Sequence, residues 1–318
     1  MEKDNFMNTI EYFMTGAQDK MVIHQDTSDG FMDLTVYYIL PGIFLALNDI
    51  HTQMIPLYQS HSSQNMLVIN YCMEGRCEFQ IKEDSYSYLD HYMMNLSSKM
   101  VMNRFFYPSC FYKGCELYIL PDTFTDKTRD FLDLFHINIA ELIHLYKDGA
   151  IFYVSDTILK LWNNISDNLL KDNIGQLRLS TLQLLKYLWD HKLTTTPTLP
   201  YLSKVQVTLA QKAQELMTKD LSHHFSMKSI AETLGVSETS LKRYFHSVYG
   251  ANVSSYMNET RMKYAAELLA TSKLNVSDVA KACGYVNQGR FANVFYQFHG
   301  MKPLDYRRKK NLNTLTSF

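Results

Sequence analysis

Ser226-Met227-Lys228-Ser229-Ile230-Ala231-Glu232-Thr233-Leu234-Gly235-Val236-Ser237, followed at once by Glu238-Thr239-Ser240-Leu241-Lys242-Arg243-Tyr244-Phe245-His246, is the stretch on which the fold turns. Its first eight residues read as a short helix. Gly235 suits a tight turn, and Ser237 is an N-cap, because its hydroxyl accepts a bond from a backbone N–H that the next helix leaves unpaired. Ile230, Ala231, Leu234, Val236, Leu241 and Phe245 fall together as one small apolar core. Two short helices across such a turn make a helix-turn-helix. The outer face of the second helix carries Glu238, Thr239, Lys242 and Arg243, polar groups that suit the floor of a major groove.

The pattern then repeats. Asn275-Val276-Ser277-Asp278-Val279-Ala280-Lys281-Ala282-Cys283-Gly284-Tyr285-Val286-Asn287 is again helix, glycine and turn, and Gln288-Gly289-Arg290-Phe291-Ala292-Asn293-Val294-Phe295-Tyr296 is a second outer helix. Gly284 stands 49 positions after Gly235, and Val279-Ala280 mirrors Ile230-Ala231. Between the two motifs, Val253 to Ala270 reads as one helix with Met257, Met262, Ala265, Ala266 and Leu269 apolar. At 1.5 Å per residue it would span about 27 Å, close to the ~34 Å between major-groove segments one turn apart. One chain is then able to set two helices into successive grooves.

With these residues in view, the region from about Val205 to Lys310, roughly a third of the chain, resembles the AraC/XylS family of bacterial transcription regulators. Ile230-Ala231, Leu234-Gly235-Val236-Ser237, Leu241, Arg243, Phe245, Tyr249-Gly250, Arg261, Ala265, Leu268-Leu269, Val279-Ala280, Gly284-Tyr285, Phe291, Phe295, Gly300, Pro303 and Tyr306-Arg307 carry the resemblance. It implies seven helices, double-stranded promoter DNA and RNA polymerase as partners, and a front domain that senses or dimerises. Transferred by motif, the base-reading candidates are Glu238, Thr239, Lys242 and Arg243 in the first reader and Gln288, Gly289, Arg290 and Asn293 in the second. Arg and Lys reach guanine O6/N7 while Asn and Gln suit adenine, and phosphate contact is the competing role for each. Gly289 departs from the family's usual side chain. Arg261 is expected in a structural salt bridge, Arg307-Arg308-Lys309-Lys310 in a solvated tail, and His223-His224 in an exposed loop.

Charge agrees with a basic module on an acidic body. Of 31 Lys and Arg and 32 Asp and Glu in the 318 residues, residues 201–310 hold 16 basic and 8 acidic groups, leaving 15 against 24 in residues 1–200. Such asymmetry between halves points to a nucleic-acid partner. No apolar run approaches the ~20 residues that cross a bilayer, and the charged start Met1-Glu2-Lys3-Asp4-Asn5 lacks a signal peptide's apolar core. A cytoplasmic protein without a membrane partner is expected.

The front half reads as strands. Val36–Leu40 ends at Pro41-Gly42, Met66–Cys72 runs to Glu74-Gly75, Cys77–Ile81 follows at hairpin distance, and Leu117–Leu120 closes at Pro121-Asp122. This spacing suggests a small barrel or sandwich, and the domain resembles the family's cupin-like sensory domains only in outline. Residues 1–120 hold 8 Phe and 11 Tyr without a Trp, enough phenols to line a cavity as well as fill a core. From Asp126 to His191 the period becomes helical, with about three apolar-striped helices. Packing against a twin subunit and covering the β-domain are both open to them. The α+β chain is thus divided into a β-rich sensory domain at 1–125, a helical dimerisation segment at 126–193, a linker at 194–204 containing Thr194–Pro200, and a tandem helix-turn-helix domain at 205–310.

His51, Asn70, Glu74 and Arg76 are the ligand-binding candidates, with turn bonds and a surface Glu74–Arg76 contact as the plainer account. His24, His51, His61 and His91 stand apart with no His-x-His followed by a spaced Glu, so no metal site and no cofactor is expected. Cys72/Cys77 and Cys110/Cys115 share one spacing, and reduced core thiols are favoured over a redox switch. No phosphate loop, nucleophile elbow or metal cluster speaks for an enzyme. The expectation is a homodimeric DNA-binding regulator, an activator, gated by a small-molecule effector in the front domain. The alternatives are control by a protein partner or by abundance, and, more remotely, an enzyme fused to a DNA-binding domain.

Overall fold

Alternation along Leu67-Val68-Ile69-Asn70-Tyr71-Cys72 sorts the front half into two faces, because successive side chains of a strand point to opposite sides. The computed structural model describes residues 18–56, 65–82, 84–98, 104–193 and 201–315. The chain divides into two compact units, 1–201 and 202–318. The Thr194–Pro200 joint lies outside the described residues.

In the first unit β1 (Lys20–Thr27), β2 (Gly30–Leu40), β3 (Ile43–His51), β4 (Met54–Pro56), β5 (Leu67–Gly75), β6 (Cys77–Lys82), β7 (Ser85–Leu89), β8 (Met93–Ser97), β9 (Arg104–Phe106), β10 (Tyr112–Ile119) and β11 (Ala150–Tyr153) are the strands. Seven form one antiparallel sheet in the order β1-β2-β3-β10-β5-β8-β11. The β6–β7 hairpin and the β4–β9 pair are antiparallel as well. They pack on one face, where Cys77, Leu89 and Ile55 join Cys72, Ile50, Met32 and Tyr112 in an apolar cluster.

The opposite face carries the larger core. Ile43, Leu45, Leu67, Ile69, Tyr71, Cys115, Leu117 and Ile119 meet residues of α1 (Asp126–Leu134), α2 (Ile139–Leu145), α3 (Asp156–Leu170) and α4 (Ile174–His191). Thr125, Asn138, Ser155 and Asn173 cap these helices through their side chains, each accepting from a backbone N–H three residues on. Trp162, fully buried, stacks on Tyr71 at 5.0 Å. Arg178 fastens α4 to β2, its Nε donating to the Ile39 carbonyl at 3.0 Å.

The structure differs from the sequence reading in one respect here. Ala150–Tyr153, placed within the helical segment, is strand β11, paired with β8 at the end of the sheet. Most of the helical apolar stripe packs within the unit, and Leu134, Phe135, Leu145, Leu170 and Leu179 are its exposed remainder.

The second unit has seven helices among the described residues: α5 (Lys204–Thr218), α6 (Met227–Thr233), α7 (Glu238–Tyr249), α8 (Val253–Thr271), α9 (Val276–Ala282), α10 (Gln288–His299) and α11 (Pro303–Leu315). Ser203 and Gln206 close a capping box at the start of α5. Val279, Ala280, Cys283, Phe291 and Phe295 pack on Met262, Ala265 and Leu269 of α8, so the connecting helix is part of the second motif's core.

Candidate nucleic-acid interface

Each motif is built from short elements with strong end signals. Ser237 accepts from the Ser240 N–H to start α7, and Gly250 ends it at φ +71°. Asn275 caps α9 through the Asp278 N–H, Asn287 caps α10 through the Arg290 N–H, and Gly300 ends α10 at φ +67°. The turn glycines Gly235 and Gly284 have φ +68° and +79°, values that strain any residue with a Cβ. Leu241 and Phe245 are buried in the first motif and Phe291 and Phe295 in the second, while Leu234 and Val236 are half-buried.

This packing leaves the expected faces outward. Thr239, Lys242 and Arg243 are exposed and Glu238 is half-buried; Gln288, Gly289, Arg290 and Asn293 are all exposed. Lys242 Nζ is 2.6 Å from Glu238 Oε1, an i,i+4 ion pair on the reading face. Arg243 lies over the Tyr244 ring at 5.4 Å. The Tyr244 phenol is held below its ordinary pKa, chiefly by a hydrogen bond with Gln206 and next by one with Arg243. A Cβ on Gly289 would meet only Asn287 Oδ1, at 3.2 Å, so the second face stays low at that point.

Two basic residues take other places than the sequence suggests. Arg261 is 5% exposed and bonds the carbonyls of Leu221 and His223, not a carboxylate. Arg307 Nε donates to the Leu269 carbonyl at 3.1 Å, tying α11 to α8 instead of lying in a solvated tail. His224 lies in an exposed loop, as the sequence suggests, and is bonded to both Arg261 and the Gly284 carbonyl. One residue on the interface escaped the sequence reading: Val286, beside the α10 cap, is fully exposed. Its only signal was an apolar residue in a turn between Tyr285 and the N-cap.

In the front unit the ligand candidates separate. His51 Nε2 is 2.8 Å from Asp49, and the ring stacks on Phe31 at 4.5 Å and lies 5.0 Å from Phe111. The Arg76 N–H donates to the Phe111 carbonyl, so His51 and Arg76 meet around that residue. Arg76 pairs with Asp90, not Glu74, and lies 5.0 Å over the Tyr88 ring; Glu74 is exposed. Asn70 belongs elsewhere. With Asn48, Asn95 and Glu116 it forms a buried polar band across β3, β5, β8 and β10, on the face opposite the large core. Glu116 accepts from Asn70 Nδ2 at 2.9 Å, from the Tyr118 hydroxyl and from Asn48; burial raises its pKa against these three bonds. Asn70 Oδ1 and the Tyr112 hydroxyl are buried without a partner. Polar residues at alternate positions of apolar strands were the signal for Asn95 and Glu116. Cys110 is exposed and the other four cysteines are buried. His61 lies outside the described residues.

The second unit is therefore a double helix-turn-helix module in which the second helix of each motif presents an exposed, polar face. Residues 230–309 match the family model described as a helix-turn-helix domain. Over 95 residues the chain is 30% identical to the porin thermoregulatory protein EnvY of Escherichia coli K12, covering 30% of this chain and 37% of that one. Over 93 residues it is 32% identical to the transcriptional activator RhaR of Yersinia pseudotuberculosis, covering 29% and 32%. The C-terminal domain of AraT, a response regulator of Geobacillus stearothermophilus, superposes with a TM-score of 0.31 at 30% identity, over 32% of this chain and 84% of that one. The match thus spans about a third of the length of the curated relatives. The likeness to transcription regulators of the AraC/XylS family lies in this domain.

Proposed function

We propose that the protein is a sequence-specific transcription regulator, an activator, that binds double-stranded promoter DNA with two reading helices per chain. One observation carries this reading: α7 and α10 are separately capped, present exposed polar faces, and are joined by the 19-residue α8, about 28 Å long. That length matches successive major-groove segments on one side of a duplex. Glu238, Thr239, Lys242 and Arg243 are assigned to the first groove, and Gln288, Arg290 and Asn293 to the second, with Gly289 allowing close approach. RhaR, named an activator, supports the sign of regulation. RNA polymerase is the partner this sign requires.

The front unit is assigned to effector sensing and to homodimer formation. Its buried polar band, with an unpartnered amide oxygen and a carboxylate that receives donors only, suits a small molecule bearing hydroxyl or amino groups. The exposed apolar remainder on α1 to α4 is the surface assigned to the twin subunit. Mapping the protein on its host's DNA tests the reading. Discrete promoter sites are expected; uniform or absent occupancy in every growth condition would overturn it. Control without an effector remains the second reading, separated from the first by whether any metabolite raises the melting temperature of the full chain.

A further inference from the structure

The loop that enters the first motif is fastened to the turn of the second. Arg261, on α8, reaches it with every arm: Nε donates to the Leu221 carbonyl at 3.1 Å, Nη2 to the His223 carbonyl at 2.9 Å, and Nη1 lies 3.1 Å from His224 Nδ1. A guanidinium only donates, so His224 Nδ1 must be the acceptor. The ring proton then sits on Nε2, which donates to the Gly284 carbonyl at 2.8 Å. Gly284 closes the contact from the other side: a Cβ there would stand 2.8 Å from the Leu221 carbonyl oxygen and 3.2 Å from that of Ser222. Loop, connecting helix and second turn thus meet at one point, and the point requires a neutral imidazole in a single tautomer.

We infer that Arg261 and His224 are positioning residues for DNA reading: they form a clasp that fixes α7 relative to α10, and a second proton on His224 opens it. The inference rests on the two-reader function proposed above. A chain that sets two helices into one duplex binds best when their separation is fixed before binding, since freedom lost on binding subtracts from affinity. The titratable groups around the clasp are Asp220, bonded to Ser222; His223, edge-on to Phe225; Cys283 and Tyr285, which burial holds in their neutral forms beside Arg261; and Arg290, near Tyr285. Arg261 has no carboxylate partner among the described residues, so a protonated His224 would face a cation and lose its acceptor together. His224 is open to solvent, so the proton has access.

The test uses the full chain and a duplex obtained by in vitro selection at pH 8, with two derivatives in which one reader's half is scrambled. Arg261→Lys, which cannot bridge two carbonyls and an imidazole, is expected to weaken the intact site about tenfold while changing each half-scrambled duplex less than about twofold. The wild-type preference for the intact over the half-scrambled duplexes is expected to fall between pH 8 and pH 5.5, the range in which histidines exchange a proton. In His224→Gln that preference should be flat with pH. Equal loss on all three duplexes in Arg261→Lys, or an unchanged pH profile in His224→Gln, would overturn the inference. Should Arg261→Lys fail to fold by circular dichroism, the pH comparison of wild type with His224→Gln decides alone. Failure of the DNA reading itself looks different: no duplex is selected, or wild type treats all three alike at pH 8.

Discussion

Lys242 and Glu238 show what one residue pair can decide. Both sit on the reading face and are bonded to each other, so a base contact by Lys242 must open or share an exposed ion pair worth only about 0.3–0.5 kcal/mol. Lys242→Ala is therefore expected to leave the melting temperature unchanged and to weaken the selected site by about 1–3 kcal/mol, with little effect on scrambled DNA; fluorescence anisotropy on both duplexes measures this. Equal losses would make Lys242 a phosphate contact. The two turn glycines allow a second comparison. A Cβ at Gly235 meets nothing within 4 Å, whereas at Gly284 it meets loop carbonyls. Gly235→Ala should lose about 1–2 kcal/mol of stability from backbone strain alone, and Gly284→Ala clearly more, in parallel thermal melts. The sequence made Gly284 visible as a turn residue but not as a packing residue, because its neighbours come from a loop sixty positions upstream. The same limit hid the partners of Arg261, Arg307 and Arg76: charge is legible locally, and the carbonyl or carboxylate that meets it is a product of the fold.

At the level of elements, legibility followed the strength of local signals. Most helices of the second unit have side-chain caps, terminal glycines or apolar periodicity, and the sequence alone placed the starts of both reading helices, while each runs three residues past the expected end, to Tyr249 and His299. Strand β11 had none of these. Ala150–Tyr153 is four residues between helices, and only its pairing with β8 makes it a strand. The helical stripe of residues 126–191 showed that an apolar face needed burial but not against what. Trp162 answers this in part, since it is stacked on Tyr71 inside the unit's own core. Trp162→Ala is expected to destabilise the front unit by about 3–5 kcal/mol, read as a lowered urea midpoint by tyrosine-region circular dichroism. A drop under about 1 kcal/mol would mean that the helices are only loosely seated on the sheet. The polar band across β3, β5, β8 and β10 was half legible: Asn70 stood out, but the register that sets it beside Glu116 and Asn95 is a property of the sheet.

Charge, thiols and chain order set expectations for the molecule as a whole. If phosphate neutralisation by the basic unit drives association, log K should fall linearly and steeply with log salt; a flat response would refute the charge argument. The thiols predict an alkaline limit. Burial pushes Cys72 and Cys115 up to about 12 and Cys283 up to about 11, from an ordinary 9.0. The unfolded chain therefore ionises these thiols first, so stability held below pH 9 should decline as pH climbs from about 9 toward 12, measurable as a falling melting temperature. At pH 8 an aromatic disulfide reagent should label exposed Cys110 quickly and the rest only on unfolding. Strand β11 carries a different consequence, for synthesis. As the chain leaves the ribosome, β8 is complete long before the residues that cover its outer side, because α1 and α2 must be made in between. An uncovered strand is a template for pairing with another chain. Nascent chains released before Ala150 should therefore pass into aggregates, and chains released after Lys192 should not, so the short edge strand acts as the closing stitch of a domain that is vulnerable while still being made.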